Sequence, residues 1–138
     1  MSTIRRQISI AATPRAVWNA LTTPEGLAAW LGGDARVDPR QGGRIVLKVG
    51  AEDARVEEAG MLHVFRPTAK LEVAWDKFSP GPWKGTFTQF QVARDGKETV
   101  LNVQHLGPSL EDEDLRANVD GVWKRALLAL RDGLEAEG

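Results

Sequence analysis

The sequence predicts a small α+β domain in which an antiparallel meander of strands is followed by a long C-terminal amphipathic helix. Three observations predict it. Short segments of alternating polarity recur through the middle of the chain, separated by Gly, Pro or Asp-Gly. A stripe of apolar residues at three- and four-residue intervals runs from Glu111 to Glu137. Between them no linker, repeat or low-complexity stretch divides the 138 residues, so residues 1–138 are expected to build one core as a single domain.

The elements follow in order. Ile4, Ile8 and Ile10 share one parity with Arg5, Gln7 and Ser9 on the other, as in a strand with one wet face, and Arg6 interrupts the inner row. Thr13-Pro14 is an N-cap followed by proline at the first helical position, ahead of Val17, Trp18 and Leu21 at helical spacing. Thr23-Pro24-Glu25 repeats the signal before Leu27, Trp30 and Leu31, and Gly32-Gly33 ends this second short helix. A turn-rich stretch with Pro39, Gly42 and Gly43 follows, around a brief strand.

The meander then reads as Ile45, Leu47 and Val49; Leu62 and Val64; Leu71, Val73 and Trp75; Phe90 and Val92; and Leu101 and Val103. Asp95-Gly96 is the clearest hairpin signal, because a tight turn needs a left-handed backbone there. Phe87 has the wrong parity for Phe90 and Val92, which implies either a bulge or a ring on the opposite face. In the last segment Leu115, Val119, Val122, Trp123, Ala126, Leu127, Leu130 and Leu134 form the helical stripe, with acids from Glu111 to Asp114 at its start and Lys124, Arg125 and Arg131 further on.

Composition narrows the function. With 42% hydrophobic and 27% charged residues the chain sits near a globular average, which argues against disorder or a fibrous repeat. Eighteen Lys and Arg against 19 Asp and Glu leave no basic field to collect phosphates, so nucleic acid is not an expected partner. No run of about 18 apolar residues suggests a membrane span, and Met1 to Ile10 lacks the apolar core of a signal peptide. The absence of cysteine excludes disulfides and thiolate chemistry, and a reducing cytoplasm is the expected location.

Recognisable catalytic constellations are missing. No Gly-x-Ser-x-Gly, phosphate-cradling Gly-x-x-x-x-Gly-Lys or dinucleotide fingerprint occurs, and no cofactor is called for. Two histidines make no zinc cluster, and the acids around Asp34 and Asp38 lack the spacing of a calcium loop, so no metal site is expected. His63 has the parity of an exposed strand residue.

Aromatic residues carry what remains. Five tryptophans and no tyrosine give large apolar surfaces without phenolic acids. Trp30 ends the second helix beside the glycine-rich stretch, Trp75 faces inward with Leu71 and Val73, and Phe78 and Trp83 flank Ser79-Pro80-Gly81-Pro82, a rigid loop able to close one end of a pocket. Trp18 and Trp123 lie in helical stripes that serve equally as core. His105 shares the parity of Leu101 and Val103, which places an imidazole inside, either as a proton-transfer group or as a satisfied structural one.

The run Thr13-Pro14-Arg15-Ala16-Val17-Trp18-Asn19-Ala20-Leu21-Thr22, with Pro24-Glu25 and Ala29-Trp30, resembles the opening signature of the SRPBCC superfamily, in its branch like the activator of heat-shock-protein ATPase. Gly42-Gly43, Gly60 to Pro67, Leu71 to Trp75, Thr99 to His105 and Gly121 to Leu134 are similar to the later blocks of that branch, in order. The resemblance implies the helix-grip fold of START domains and the birch-pollen allergen, a sheet of about seven strands around the final helix with an internal cavity. One departure is that Val122 separates Gly121 from Trp123, where the branch commonly has Gly-Trp, which turns the tryptophan by about 100° around the helix.

That superfamily spans carriers, cyclases and co-chaperone domains, so the resemblance implies a fold before a reaction. The leading expectation is binding of a hydrophobic or aromatic small molecule between sheet and C-terminal helix, by Trp30, Trp75, Phe78, Trp83, His105 and Trp123. A polyketide cyclase or aromatase and a co-chaperone or other protein-interaction domain are the alternatives, and the chain is expected to be a monomer or homodimer.

Overall fold

The computed structural model describes residues 3–31, 33–50 and 55–137. Gly32, read as part of a helix stop, lies outside the described residues. The chain runs β1 (Thr3–Ile10), α1 (Pro14–Thr22), α2 (Pro24–Leu31), β2 (Ala35–Val37), β3 (Arg44–Val49), β4 (Val56–Arg66), β5 (Lys70–Trp75), β6 (Phe87–Asp95), β7 (Glu98–Leu106) and α3 (Glu113–Glu137). Seven antiparallel strands form one sheet in the order β1-β7-β6-β5-β4-β3-β2. The α1–α2 pair carries the chain from one edge strand, β1, to the other, β2, and α3 packs against both β1 and α2. This is the helix-grip arrangement.

Local chemistry sets the boundaries. The Thr13 hydroxyl accepts from Ala16 N–H at 3.1 Å, and the Thr23 hydroxyl accepts from Gly26 N–H at 3.0 Å, so each short helix is capped where the sequence places it. A 3₁₀ turn (Pro108–Glu111) precedes α3, and Asp112 caps that helix by accepting from Asp114 and Leu115 N–H. The β6–β7 hairpin pairs Asp95 with Glu98 across Gly96, whose φ of 62° suits glycine.

Two details of register were not settled by pattern alone. Phe87 stays in unbroken pairing with Ala74 and Leu106 and points outward, 37% exposed, so the opposite-face alternative holds and β6 has no bulge there. The irregularity lies in β4, where Leu62 pairs with Val73 but Val64 already pairs with Glu72. The extra residue at His63 flips the parity beyond it, so Phe65 rather than Val64 packs against the core, with its ring 5.5 Å from Trp18.

The core lies between the concave sheet face and the inner stripe of α3, where Val119, Trp123, Ala126, Leu127 and Leu130 are buried. Arg6, the break in the inner row of β1, reaches α3: its guanidinium donates twice to the Asp120 carboxylate, at 2.9 Å each. Opposite Trp75, β4 has Gly60, where a Cβ would come within 3.0 Å of the indole, so the missing side chain makes room for the ring.

Candidate functional site

Five of the six residues singled out by the sequence meet between sheet and helix. Trp75 (β5), His105 (β7), Trp123 (α3), Trp30 (α2) and Trp83, from the 76–86 connection, are each no more than 4% exposed. The Trp83 indole stacks on Trp123 with centroids 5.1 Å apart and planes 16° from parallel, and it meets Trp75 at 5.0 Å and His105 at 5.1 Å. Trp123 in turn meets Trp30 at 6.1 Å and Phe90 at 5.6 Å. Such offset and tilted arrangements are the favoured ones for aromatic pairs. Phe78 is not brought into the group: it is 91% exposed, on the outside of the connection that buries Trp83.

Hydrogen bonding defines the state of His105. An indole nitrogen only donates, so the Trp123 Nε1–H bond of 3.1 Å makes His105 Nδ1 an acceptor. The Trp75 Nε1–H donates to the Thr88 hydroxyl at 2.8 Å, leaving that hydroxyl to donate to Nδ1 at 2.9 Å. The imidazole proton is therefore on Nε2, directed at the Thr86 hydroxyl 2.8 Å away, and that hydroxyl donates to the Trp83 carbonyl. Burial pushes the His105 pKa down to about 3, and two donors facing Nδ1 leave a second ring proton no acceptor. Register makes this possible, since Thr88 and His105 are direct cross-strand partners on the inner face.

A second buried polar group was not found from the sequence. Glu58 shares the inward parity of Gly60 and Leu62 on β4 and is 1% exposed. Its carboxylate accepts from the Ser79 hydroxyl at 2.6 Å and from Trp83 N–H at 3.1 Å, while Ser79 Oγ accepts from Ala59 N–H at 3.1 Å. Burial raises the Glu58 pKa, and the bonds from Ser79 and Trp83 oppose the shift in part. The signal was its parity with Leu62, two turns of pleat away, obscured because β4 begins before the apolar run.

Clefts open on the helical side. One of about 410 Å³ lies between α1, α2 and the C-terminal half of α3, walled by Ala20, Trp30, Leu130 and Leu134. Another of about 230 Å³ lies between α2, α3 and Gly50, walled by Trp30, Leu31, Val122 and Ala126. Trp30 borders both, and its ring is fixed by donating to Ala20 C=O at 2.8 Å. Among the described residues no group of three His, Asp or Glu is placed to hold a metal ion.

The seven-stranded antiparallel sheet around a long C-terminal helix is the helix-grip fold of the SRPBCC superfamily. Within it, the family model for Activator of Hsp90 ATPase homolog 1-like proteins matches residues 11–135, and the chain belongs to that family. Among solved structures it is similar to the Aha1 dimer from Colwellia psychrerythraea, with 26% identity, TM-score 0.83 and coverage of 98% of this chain and 97% of that one. A protein from Mesorhizobium loti (18% identity, TM-score 0.81, 99% of both chains) and an AHSA1-like protein from Aeromonas hydrophila (20%, TM-score 0.71, 94% of both) share the fold. No curated protein sequence matches significantly.

Proposed function

We propose that this domain binds a hydrophobic or aromatic small molecule between the sheet and α3, with Trp30, Trp75, Trp83, His105 and Trp123 forming the binding surface. The observation that carries the reading is the convergence of four tryptophans from four separate parts of the chain on one place, with Trp30 bordering two clefts. Affinity comes from apolar area removed from water, about 25 cal/mol per Å². The cyclase alternative asks His105 or an inward acid to move a proton, whereas both His105 ring nitrogens are engaged with its pKa held near 3, and the inward acid, Glu58, is tied to the Ser79 hydroxyl and Trp83 N–H. Binding without chemistry is the better fit.

Native mass spectrometry of the protein purified from its own host, followed by denaturation, tests this. A stoichiometric apolar ligand is expected, and Trp75→Ala should retain less of it than His63→Ala. A clean apo mass, with no thermal shift across aromatic and lipid metabolites, would count against the reading.

A protein-interaction role is the second reading, favoured by the outer sheet face. Met61, Ala74, Phe87 and Leu106 stand in register across β4, β5, β6 and β7, and Phe78 is almost wholly exposed nearby in sequence. Family membership and a dimeric relative agree with it. Stimulation of an Hsp90-type ATPase, or self-association by light scattering, that is lost in Phe87→Ser would support this role; absence of both in the wild type would remove it.

A further inference from the structure

Among the tryptophans of the cluster, Trp83 differs in three respects. It is delivered by an irregular connection, whereas Trp30, Trp75 and Trp123 stand on helices or a strand. Those three each donate their ring N–H, to Ala20 C=O, Thr88 and His105 respectively, whereas the Trp83 indole takes no part in that set of bonds. Its indole is stacked between Trp123, Trp75 and His105. The anchors of Trp83 are on its backbone: N–H to Glu58 and C=O from Thr86.

The backbone anchor is itself a costly one. Glu58 is a buried carboxylate whose ionised form burial disfavours, and it fits only because Gly81 has no side chain: a Cβ there would lie 2.1 Å from Oε2. Gly85, with φ of 71°, gives the connection a second point where the backbone turns as glycine does. The other walls of the slot, Trp75, Thr88, His105 and Trp123, stand on strands and α3 and are joined by bonds that do not involve Trp83: Trp75 to Thr88, Thr88 to His105 and Trp123 to His105.

We propose that the slot between Trp75 and Trp123 is the ligand site itself, that Trp83 occupies it as a built-in plug, and that the ligand which displaces it is a planar aromatic ring system of about indole size or larger. This rests on the small-molecule reading above, names its ligand class, and makes Trp83 the gate of the site rather than one of its walls. The near-parallel face of Trp123 selects a flat ring. Ligand affinity is then reduced by the fraction of molecules in which the plug is seated, and weakening the latch raises it without adding a contact.

The test uses the full chain labelled with 5-fluorotryptophan, indole as probe, and ¹⁹F NMR to follow Trp83, assigned by Trp83→Phe. Saturating indole should move the Trp83 signal to an exposed position. Gly81→Ala, which drives a methyl into the Glu58 carboxylate but keeps every slot residue, should bind indole at least tenfold more tightly. Glu58→Ala should act in the same direction and serves if Gly81→Ala does not fold, as judged by circular dichroism. Decanoate, apolar but without a ring, should show no such gain. Indole binding with the Trp83 signal unmoved, or equal affinity in wild type and latch variants, would overturn the plug while leaving a small-molecule site elsewhere open to the mass-spectrometric test. No indole binding by the wild type or either latch variant would overturn it as well.

Discussion

At the scale of single residues, Thr86 is the most exposed to test. Its hydroxyl takes the Nε2–H of His105 and gives its own proton to the Trp83 carbonyl, so one oxygen closes the chain that runs from Trp75 through Thr88 and His105. Thr86→Val keeps the shape and removes the oxygen, stranding the buried His105 Nε2–H, while the Trp83 carbonyl keeps its bond from Thr86 N–H. An unsatisfied buried donor costs about 1–3 kcal/mol, so a loss in that range is expected in urea unfolding. Thr86→Ser, which retains the hydroxyl, should lose less than about half as much. Equal losses in the two variants would show that the methyl packing, not the hydrogen-bond chain, is what matters. The inward position of His105 was readable from its parity with Leu101 and Val103. Its partners were not, because they come from a neighbouring strand, the 76–86 connection and a helix, and only the tertiary register sets Thr88 beside it and the Trp123 ring above it.

At the scale of elements, the clearest case is the coupling of β1 to α3. Sequence pattern marks Arg6 as a break in an otherwise apolar row and does not single out Asp120. Packing brings them into a two-bond ion pair across the edge of the core. The Asp120 pKa is lowered, first by the hydrogen bond from Arg6, and the Arg6 pKa is raised by the same contact. Both side chains keep a third or more of their surface in water, so screening limits the pair to about 0.2–1 kcal/mol in a double-mutant cycle with Arg6→Ala and Asp120→Ala. The coupling should shrink in 1 M salt, where the Debye length is about 3 Å. A coupling of zero at low salt would assign the contact to orientation alone. The elements themselves were legible: two Thr-Pro helix starts, the Asp-Gly hairpin and the apolar helical stripe act over a few residues, within reach of local physics. The bulge at His63 was not, since an added residue shows only as a parity flip, and Phe65 and Val64 are both apolar enough to fill either face.

For the whole molecule, the two ionisable groups buried among the described residues, Glu58 and His105, predict the shape of stability against pH. His105 is held neutral, with its pKa lowered to about 3 from an ordinary 6.5. Below pH 6.5 the unfolded chain binds a proton there that the folded chain does not. Its contribution therefore falls by about 1.4 kcal/mol per pH unit as pH drops from 6.5 towards 3. Glu58 has the opposite sign. Its folded pKa lies above the ordinary 4.5, chiefly through burial, so the folded chain holds a proton that the unfolded chain has lost, and stability falls as pH rises from 4.5 through the folded value. Between pH 4.5 and the folded pKa of Glu58 the two slopes oppose, and the wild type should show a shallow dependence. Glu58→Gln preserves the shape and can still accept from Trp83 N–H while bonding Ser79, so it removes one slope and leaves the other. Its stability should rise steadily with pH from about 4.5 to 6.5, whereas His105→Gln should show the reverse trend over the lower part of that range. Urea midpoints measured at half-unit intervals decide it. Parallel curves for wild type and Glu58→Gln would mean that the carboxylate titrates as it does in the unfolded chain, and that the clamp on Trp83 carries no electrostatic cost.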